Sequence, residues 1–334
     1  MIIMTKKGLF CEPGGFHIDP SGAVEHAVIT HAHSDHARRG AQNYYCTSPT
    51  VSILKVRLGK NIFVRPFQYH EKFQINGVTI SFHSAGHILG SAQVRIEYKN
   101  EVWVVSGDYK RDPDPTCTPF EPVPCDVFIT EATFGTPSYV WEKNLELGQQ
   151  IFDWWSANAE RGVNSVLFAY SLGKTQRVLG LLKPFAKKPI FCHAAAAEIN
   201  NCYLDQGIPL APTICLSSLE DDRVLRGELF LAPQAFLKSE QAHVLGKDYQ
   251  TAFASGWMAQ GNSGFHGSYD HGFVISDHAD WNGLLQTVRE TGAKKVYVQH
   301  RGQGALVRHL RGLGIHAFSD QELFPKFPDQ LSLF

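Results

Sequence analysis

Short hydrophobic segments rich in β-branched and aromatic residues occupy much of the first 130 positions of the chain. Turn residues such as Asn76 and Gly77, or Lys99 and Asn100, separate several of them. Segments of this length and composition, bounded by turn residues, are typical of β-strands. The pattern therefore predicts strands at residues 27–30, 78–82, 92–98, 102–106 and 126–130.

From about residue 143 the hydrophobic pattern becomes helical and then alternates between helix and strand. It predicts helix 145–159, strand 165–170, helix 174–182, strand 189–192 and helix 194–206. It continues with strand 272–276, helix 281–291, strand 295–299 and helix 305–313. Such alternation favours a small α/β unit inserted between two halves of a larger domain. We expect the halves at residues 1–143 and 263–334, with the insert at 144–262.

Composition and charge narrow the class of protein. The 334 residues are 43% hydrophobic and 19% charged, as in ordinary globular proteins, and the net charge of −1 argues against a surface coated in basic groups. The start lacks the apolar run of a signal peptide, and no stretch is long and apolar enough to cross a membrane. Seven cysteines without CxxC spacing indicate reduced, mostly buried thiols, so we expect a cytoplasmic protein.

The strongest chemical signal follows the predicted strand at 27–30. Four side chains that can bind metal fall within six positions, at His31, His33, Asp35 and His36. Burying four such groups unpaired would be costly, so a bound cation is the simplest explanation, against the alternative of a histidine-rich surface loop. His31 and His33 can converge on one ion, while Asp35 and His36 can reach a second.

Five further residues that could serve the same site follow predicted strands: His87, Asp108, Glu131, His278 and His300. His87 lies between glycines in the segment 84–90, and Asp108, whose carboxylate can bridge two cations, follows the strand at 102–106. In this order after the histidine cluster, they resemble the metallo-β-lactamase superfamily. The later motifs around Glu131, His278 and His300, with a long insert between the first two, resemble its β-CASP nucleases.

This resemblance implies a metallo-β-lactamase αββα sandwich with an inserted β-CASP α/β domain. It also implies two divalent metal ions, zinc or manganese, which would activate water for attack on a phosphodiester. His278 would act as general acid, oriented by Glu131, and Asp35 would belong to the catalytic group as well. One ion would be held by His31, His33, His87 and Asp108, and the other by Asp35, His36, Asp108 and His300.

Further segments are similar to bacterial ligase-associated DNA exonucleases: residues 8–11, 16–20, 86–95, 107–110, 169–177, 254–257 and 276–281. That similarity implies a DNA repair exonuclease, working 5′ to 3′ on DNA that is single-stranded or has a free end, with a DNA ligase and a helicase as partners. Artemis-type DNA nucleases tend to carry valine where this chain has His300, whereas RNA-cleaving branches carry histidine. A ribonuclease that processes RNA ends is therefore an open alternative.

Two other classes of function are also open. A small-molecule metallohydrolase, such as a lactonase or thioesterase, would share the histidine cluster but is not expected to combine Glu131 and His278 with the insert. A non-catalytic scaffold of the same family is expected to have lost ligand residues, and all of them are present here. Both alternatives therefore fit the sequence less well than a nuclease.

The segment Gly173-Lys174-Thr175 resembles the end of a phosphate-binding loop. A Walker motif requires glycine five positions before Gly173, where this chain has Phe168, so nucleotide binding is rejected. Amides at the start of the predicted helix, with Ser171, Lys174 and Arg177, could instead bind a nucleic-acid phosphate, or they could form a solvated helix face. Trp257 and Tyr170 could stack on bases or pack in the core.

Overall fold

The computed structural model of the chain describes residues 1–141, 146–219, 223–260, 268–300 and 302–325. Within these ranges, three sheets and six α-helices form the fold. The strands are β1 (Ile2–Thr5), β2 (Gly8–Cys11), β3 (Phe16–Ile18), β4 (His26–Val28), β5 (Asn43–Thr47), β6 (Val64–Phe67), β7 (Lys72–Ile75), β8 (Val78–Ser84), β9 (Ala92–Tyr98), β10 (Glu101–Val105), β11 (Val127–Thr130), β12 (Asn164–Phe168), β13 (Ile190–Cys192), β14 (Thr213–Cys215), β15 (Leu229–Ala232), β16 (Tyr249–Ala254), β17 (His271–Phe273), β18 (Lys295–Val298) and β19 (His316–Ser319). The helices are α1 (Thr50–Leu58), α2 (Leu147–Glu160), α3 (Lys174–Leu182), α4 (Ala194–Asp205), α5 (Trp281–Thr291) and α6 (Gln303–Gly312).

Two of the sheets pack face to face. The first runs β1 to β6 in sequence order, and the second has the order β19-β18-β11-β10-β9-β8-β7. Val28 of the first sheet shares one hydrophobic core with Val94 and Val105 of the second. On the outer face of the second sheet, Phe128 packs in a separate core with Leu284 of α5. Because side chains alternate along a strand, each sheet contributes to two cores.

The third sheet is parallel throughout, in the order β14-β13-β15-β12-β16-β17. The chain leaves the second sheet after β11, builds the third, and returns to the second sheet at β18. The strand predicted over 272–276 is β17, which pairs with β16, so the third sheet extends past residue 262. The boundaries expected at 143/144 and 262/263 themselves lie outside the described residues.

Helices 174–182 and 281–291 are confirmed to the residue, since α3 and α5 have these bounds. The carboxylate of Asp280 accepts the amide of Gly283 at 2.7 Å and caps the start of α5. Gly292 ends α5 in the left-handed conformation, with φ 62°. Such local signals fix a helix boundary from the sequence alone.

Several short elements were not predicted. They include β1, β2 and β3, which have only three or four residues each, and α1. A strand of three residues contains too few positions to show alternation of hydrophobic and polar side chains. All seven cysteines are unpaired, and four of them are buried. Among the described helices, none combines the length and apolar composition needed to cross a bilayer.

Candidate metal centre

Neighbouring strand ends bring the candidate residues together. Strands β10, β11 and β18 are adjacent and parallel in the second sheet, so their carboxyl ends lie side by side. Asp108, Glu131 and His300 each follow one of these ends by one to three positions. The histidine cluster follows the carboxyl end of β4, an inner strand of the facing sheet. Backbone topology therefore places residues that are far apart in sequence around one point.

A glycine allows the closest approach at this point. Gly107 has φ 56°, and a Cβ atom on it would lie 2.6 Å from the Cβ atom of Thr30. Any side chain would therefore clash with the residue that precedes His31, apart from the strain of the left-handed backbone. Glycine at this position lets the turn that carries Asp108 pack directly against the turn that carries His31.

The first group of donor atoms consists of three imidazoles and one carboxylate. His33 Nδ1 lies 3.1 Å from His31 Nε2 and 3.0 Å from His87 Nε2. Asp108 Oδ2 is 3.5 Å from His31 Nε2 and 3.8 Å from His87 Nε2. Donor atoms on a tetrahedral zinc ion lie about 3.3–3.5 Å apart, because each bond is about 2.0–2.2 Å. The four side chains therefore have the spacing of a single metal site.

A second group shares the carboxylate of Asp108. His36 Nε2 lies 3.4 Å from Asp108 Oδ2, and His300 Nδ1 lies 3.7 Å from Asp108 Oδ1. The ligand atoms of these three residues all lie within 4.8 Å of one another. Asp35 is 70% exposed, and its Oδ2 approaches His36 Nε2 only to 3.8 Å. Asp35 thus lies at the rim, outside the groups of converging donors, while Asp108 stands between the two groups.

In each imidazole of the first group, the nitrogen that faces away from the centre is hydrogen-bonded to another protein group. His33 Nε2 donates to the carbonyl of Leu172 at 3.1 Å, and His87 Nδ1 donates to the carbonyl of Asp277 at 2.5 Å. His31 Nδ1 lies 3.0 Å from the hydroxyl of Thr30, which itself donates to Asp19. Such bonds fix the tautomer, so the nitrogens that face the centre carry lone pairs.

Asp19 is the functional residue that sequence reasoning missed. It was included only in a segment that resembled a family pattern, without a role. Its Oδ2 accepts from His36 Nδ1 at 2.7 Å and from the hydroxyl of Thr30 at 2.6 Å, so it orients both His36 and His31. Its position directly after β3 is the signal that could have indicated it, but a strand of three residues was not predicted.

The chemistry of the donors fits divalent cations. Asp108 Oδ1 is buried and accepts no hydrogen bond within the described part of the protein. Burial lowers the pKa values of His31, His33 and His87, which keeps these imidazoles neutral, as ligands must be. Burial favours the protonated form of Asp108, but His36 and the other imidazoles outweigh it and hold the pKa of this carboxyl well below its ordinary value.

Beside this centre lies a paired histidine and carboxylate. His278 Nδ1 is 3.0 Å from Oε2 and 3.1 Å from Oε1 of Glu131, and 4.0 Å from Asp108 Oδ2. Glu131 is buried and also accepts the amide of Tyr109 at 2.7 Å. Burial disfavours the imidazolium, yet Glu131 and Asp108 overcome it and raise the pKa of His278 to about 9. With Nδ1 engaged, Nε2 is the nitrogen that can exchange a proton with a substrate.

The centre opens into a cleft of about 730 Å³. Its walls include Ser171, Trp257 and Tyr170 together with His278 and His300. Tyr170 is 65% exposed, so it does not pack in the core, and its ring is available to a ligand. Trp257 is half-buried and packs against Phe134, with ring centroids 4.8 Å apart. Of the two aromatic residues considered for base stacking, Tyr170 therefore presents an exposed ring on the cleft wall, whereas Trp257 packs against Phe134.

Two residues predicted to bind phosphate are instead buried in an ion-pair network. Lys174 Nζ lies 2.9 Å from Asp277 Oδ2 and donates to the carbonyl of Ile275 at 2.8 Å. Arg177 donates to the carbonyl of Ser276 and lies 3.5 Å from Asp277 Oδ1. Both cations are at most 5% exposed and already paired within the protein. Ser171 and Lys174 both line the cleft, and Lys174 does so with its Nζ already paired with Asp277.

The network instead holds the segment that carries His278. It connects α3 of the third-sheet region to residues 275–277, and the carbonyl of Asp277 is the acceptor for His87. Lys174 and Arg177 therefore act on the centre indirectly, by fixing the backbone that orients His87 and His278.

Replacing Lys174 by methionine is expected to lower the free energy of unfolding by about 3–5 kcal/mol, because it leaves the buried Asp277 with a weaker partner. Urea denaturation checks this value. The matched control is Lys188→Met: Lys188 is 46% exposed where it pairs with Glu228, so its loss should cost about 1 kcal/mol or less. If both variants lost the same free energy of unfolding, the network of Lys174 would contribute no more to stability than the exposed ion pair of Lys188.

Sequence and structure comparisons relate this chain to several proteins. It is 29% identical over 326 residues to a "Probable DNA ligase" of Opitutus terrae, covering 93% of this chain and 30% of that protein. It is 25% identical over 213 residues to an "RNase J-like protein" of Methanocaldococcus jannaschii, covering 54% and 50% respectively. It is 29% identical over 124 residues to "Endoribonuclease YSH1" of Yarrowia lipolytica, covering 36% and 15%. No protein-family model matches the chain.

A crystal structure of a protein of unknown function from Enterococcus faecalis V583 shares the fold, with a TM-score of 0.55 and 12% identity over 83% of this chain and 76% of that one. This likeness concerns the fold alone. The present chain spans half or less of the length of each of the three curated relatives. It is thus similar over most of its own length to part of one protein named as a DNA ligase, and over shorter stretches to proteins named as ribonucleases.

Proposed function

We propose that this chain is a two-metal phosphodiesterase of the metallo-β-lactamase fold with an inserted β-CASP domain, and that it degrades DNA as an exonuclease. The observation that carries the proposal is the convergence of donor atoms from separate strand ends on the two oxygens of Asp108. A paired His278 and Glu131 lie beside them in an open cleft. The relatives named as nucleases support the same chemistry.

One cation would be held by His31, His33, His87 and Asp108, and the other by His36, Asp108 and His300, with Asp35 near the second. The donor set suits zinc and also accepts manganese. The chemistry that such cations supply when bound is the acidification of water and the neutralisation of charge on phosphate oxygens.

The remaining steps belong to side chains of the protein. A sugar alkoxide is a poor leaving group, so its oxygen needs a proton as the bond to phosphorus breaks. His278 is placed to donate that proton from Nε2, and Glu131 both orients the ring and favours its charged form. Tyr170 and Ser171 on the cleft wall can contact the strand that carries the scissile phosphate.

The finer assignments rest on the resemblance of the motifs. They are the 5′ to 3′ direction, a cytoplasmic role in DNA repair, and a DNA ligase and a helicase as partners. The relative named as a probable DNA ligase supports this association. The second candidate function is a ribonuclease, which His300 and the relative named RNase J-like favour. A single comparison of substrates separates the two.

The test is digestion of DNA and RNA oligonucleotides of matched sequence, each labelled at one end, with zinc or manganese added. We expect DNA to be cleaved faster than RNA, and the 5′-terminal nucleotide to be released first. Resolving the products on a gel against time gives both preference and direction. The Asp108→Asn protein serves as the control for contaminating nucleases.

Each opposite result overturns one part of the proposal. Faster cleavage of RNA would replace the DNA assignment, and early release of the 3′-terminal nucleotide would reverse the direction. No cleavage of either polymer, with rapid hydrolysis of a lactone or thioester, would move the chain to the class of small-molecule hydrolases.

A further inference from the structure

A second cluster of metal-binding side chains lies outside the centre described above. It consists of His70, His83 and Glu121, whose donor atoms all lie within 4.8 Å of one another. The cluster combines a turn after β6, the strand β8 and a loop that precedes β11. Nothing in the proposed phosphodiesterase chemistry uses these residues.

The separations in this cluster match those between ligands of a single metal ion. Glu121 Oε1 lies 3.4 Å from His70 Nε2 and 3.3 Å from His83 Nδ1. Two ligand atoms on a tetrahedral zinc ion lie about 3.3–3.5 Å apart, because each bond is about 2.0–2.2 Å. The two imidazole rings are perpendicular, with an interplanar angle of 88° and centroids 4.8 Å apart.

Neighbouring groups hold two of the ligands in place. His83 Nε2 lies 3.1 Å from the hydroxyl of Ser81, which leaves Nδ1 free to face Glu121. Glu121 Oε1 accepts the amide of Ser84 at 3.0 Å, and the amide of Glu121 donates to the carbonyl of Ser84 at 3.3 Å. Bonds of this kind orient ligands in established metal sites and lower the entropic cost of binding.

The third ligand comes from a constrained backbone position. His70 has φ 66°, and its amide donates to the carbonyl of Phe82 at 2.8 Å, which fixes the turn against β8. Its side chain is 62% exposed, whereas that of His83 is 16% exposed. A cation at this point would therefore have three protein ligands and one side open to water.

We propose that His70, His83 and Glu121 form a separate site for a divalent transition-metal cation, with zinc as the preferred occupant. Two imidazoles and one carboxylate are a donor set that zinc accepts readily. The bound ion would stabilise the local structure, because it would link the turn at His70 and the loop at Glu121 to the end of β8. Ser84 lies three positions before His87, so the site braces the base of the loop that carries this residue.

The test measures zinc bound per chain after equilibrium dialysis at low micromolar free zinc. His70→Asn removes a ligand while keeping a residue that tolerates a positive φ, and Glu121→Gln keeps the oxygen that accepts the amide of Ser84 but removes the charge. Each variant is expected to bind one zinc ion fewer than the natural chain. The exposed His316, changed to asparagine, is the matched control and should leave the zinc content unchanged.

The same comparison in an Asp108→Ala background separates this site from the main centre. There we expect the His70-dependent ion to remain and to be lost again with His70→Asn. Equal zinc content with and without His70→Asn, in either background, would overturn the proposed site. Loss of zinc only with Asp108→Ala would support the phosphodiesterase centre and contradict this second site, so the two proposals fail independently.

Discussion

Replacing Asp108 by asparagine is expected to lower the rate of phosphodiester hydrolysis by about 10⁴-fold or more. Asp108 Oδ2 lies within 3.8 Å of nitrogens of His31, His36 and His87, and Oδ1 lies 3.7 Å from His300. The neutral amide that replaces the carboxylate of Asp108 would remove an anionic ligand from both metal-binding groups at once. The rate and the metal content of the variant should therefore fall together, as measured by kinetics and by elemental analysis.

The matched control for this variant is Asp35→Asn, which makes the same chemical change at the rim. Asp35 is 70% exposed, and its Oδ2 lies 3.8 Å from His36 Nε2. Its replacement should therefore cost less activity and leave more metal bound than the replacement of Asp108. If Asp35→Asn proved as damaging as Asp108→Asn, Asp35 would be a full ligand whose side chain turns inward when metal binds. An Asp108→Asn protein with normal metal content would refute the shared role of this carboxylate.

The structure brings together most of the side chains that the sequence singled out, while the fold around them was only partly predicted. His31, His33 and His36 were recognisable because ligand-type side chains that are close in sequence remain close in space. Asp108 and His300 were placed through the order of motifs, and the parallel pairing of β10, β11 and β18 is the physical reason that they meet. Strands β1, β2 and β3 have only three or four residues each and left no periodic signal, so the first sheet was only partly predicted.

Two of the residues expected to bind phosphate are buried in the structure. Lys174 and Arg177 follow a glycine at the start of a helix, a pattern that equally suits phosphate binding and a buried ion pair. Only the approach of Asp277, about 100 positions away, decides between them. The sequence did not indicate a role for Asp19, because that role depends on contacts to Thr30 and His36 that no local pattern reveals. A single sequence does not reveal pairing between residues that are far apart along the chain.

The His278→Ala variant is expected to cleave DNA about 10²–10⁴-fold more slowly, the usual range for loss of a general acid. It should nevertheless hydrolyse a p-nitrophenyl phosphodiester at nearly the natural rate, because p-nitrophenolate leaves without a proton. Measuring both substrates with both proteins separates proton donation from general damage to the centre. A similar loss on both substrates would assign His278 to binding or to the metal centre instead.

The Glu131→Gln variant tests the same proton through its dependence on pH. The Glu131 carboxylate stabilises the imidazolium of His278, and burial alone would destabilise it, so the pKa of about 9 depends on this charge. A general acid works in its protonated form, so DNA cleavage should fall as the pH rises through the pKa of His278. Removing the charge of Glu131 lowers that pKa, and the falling limb of the pH profile should move to lower pH. This limb should be absent in His278→Ala, and a limb that Glu131→Gln left in place would mean that another group supplies the proton.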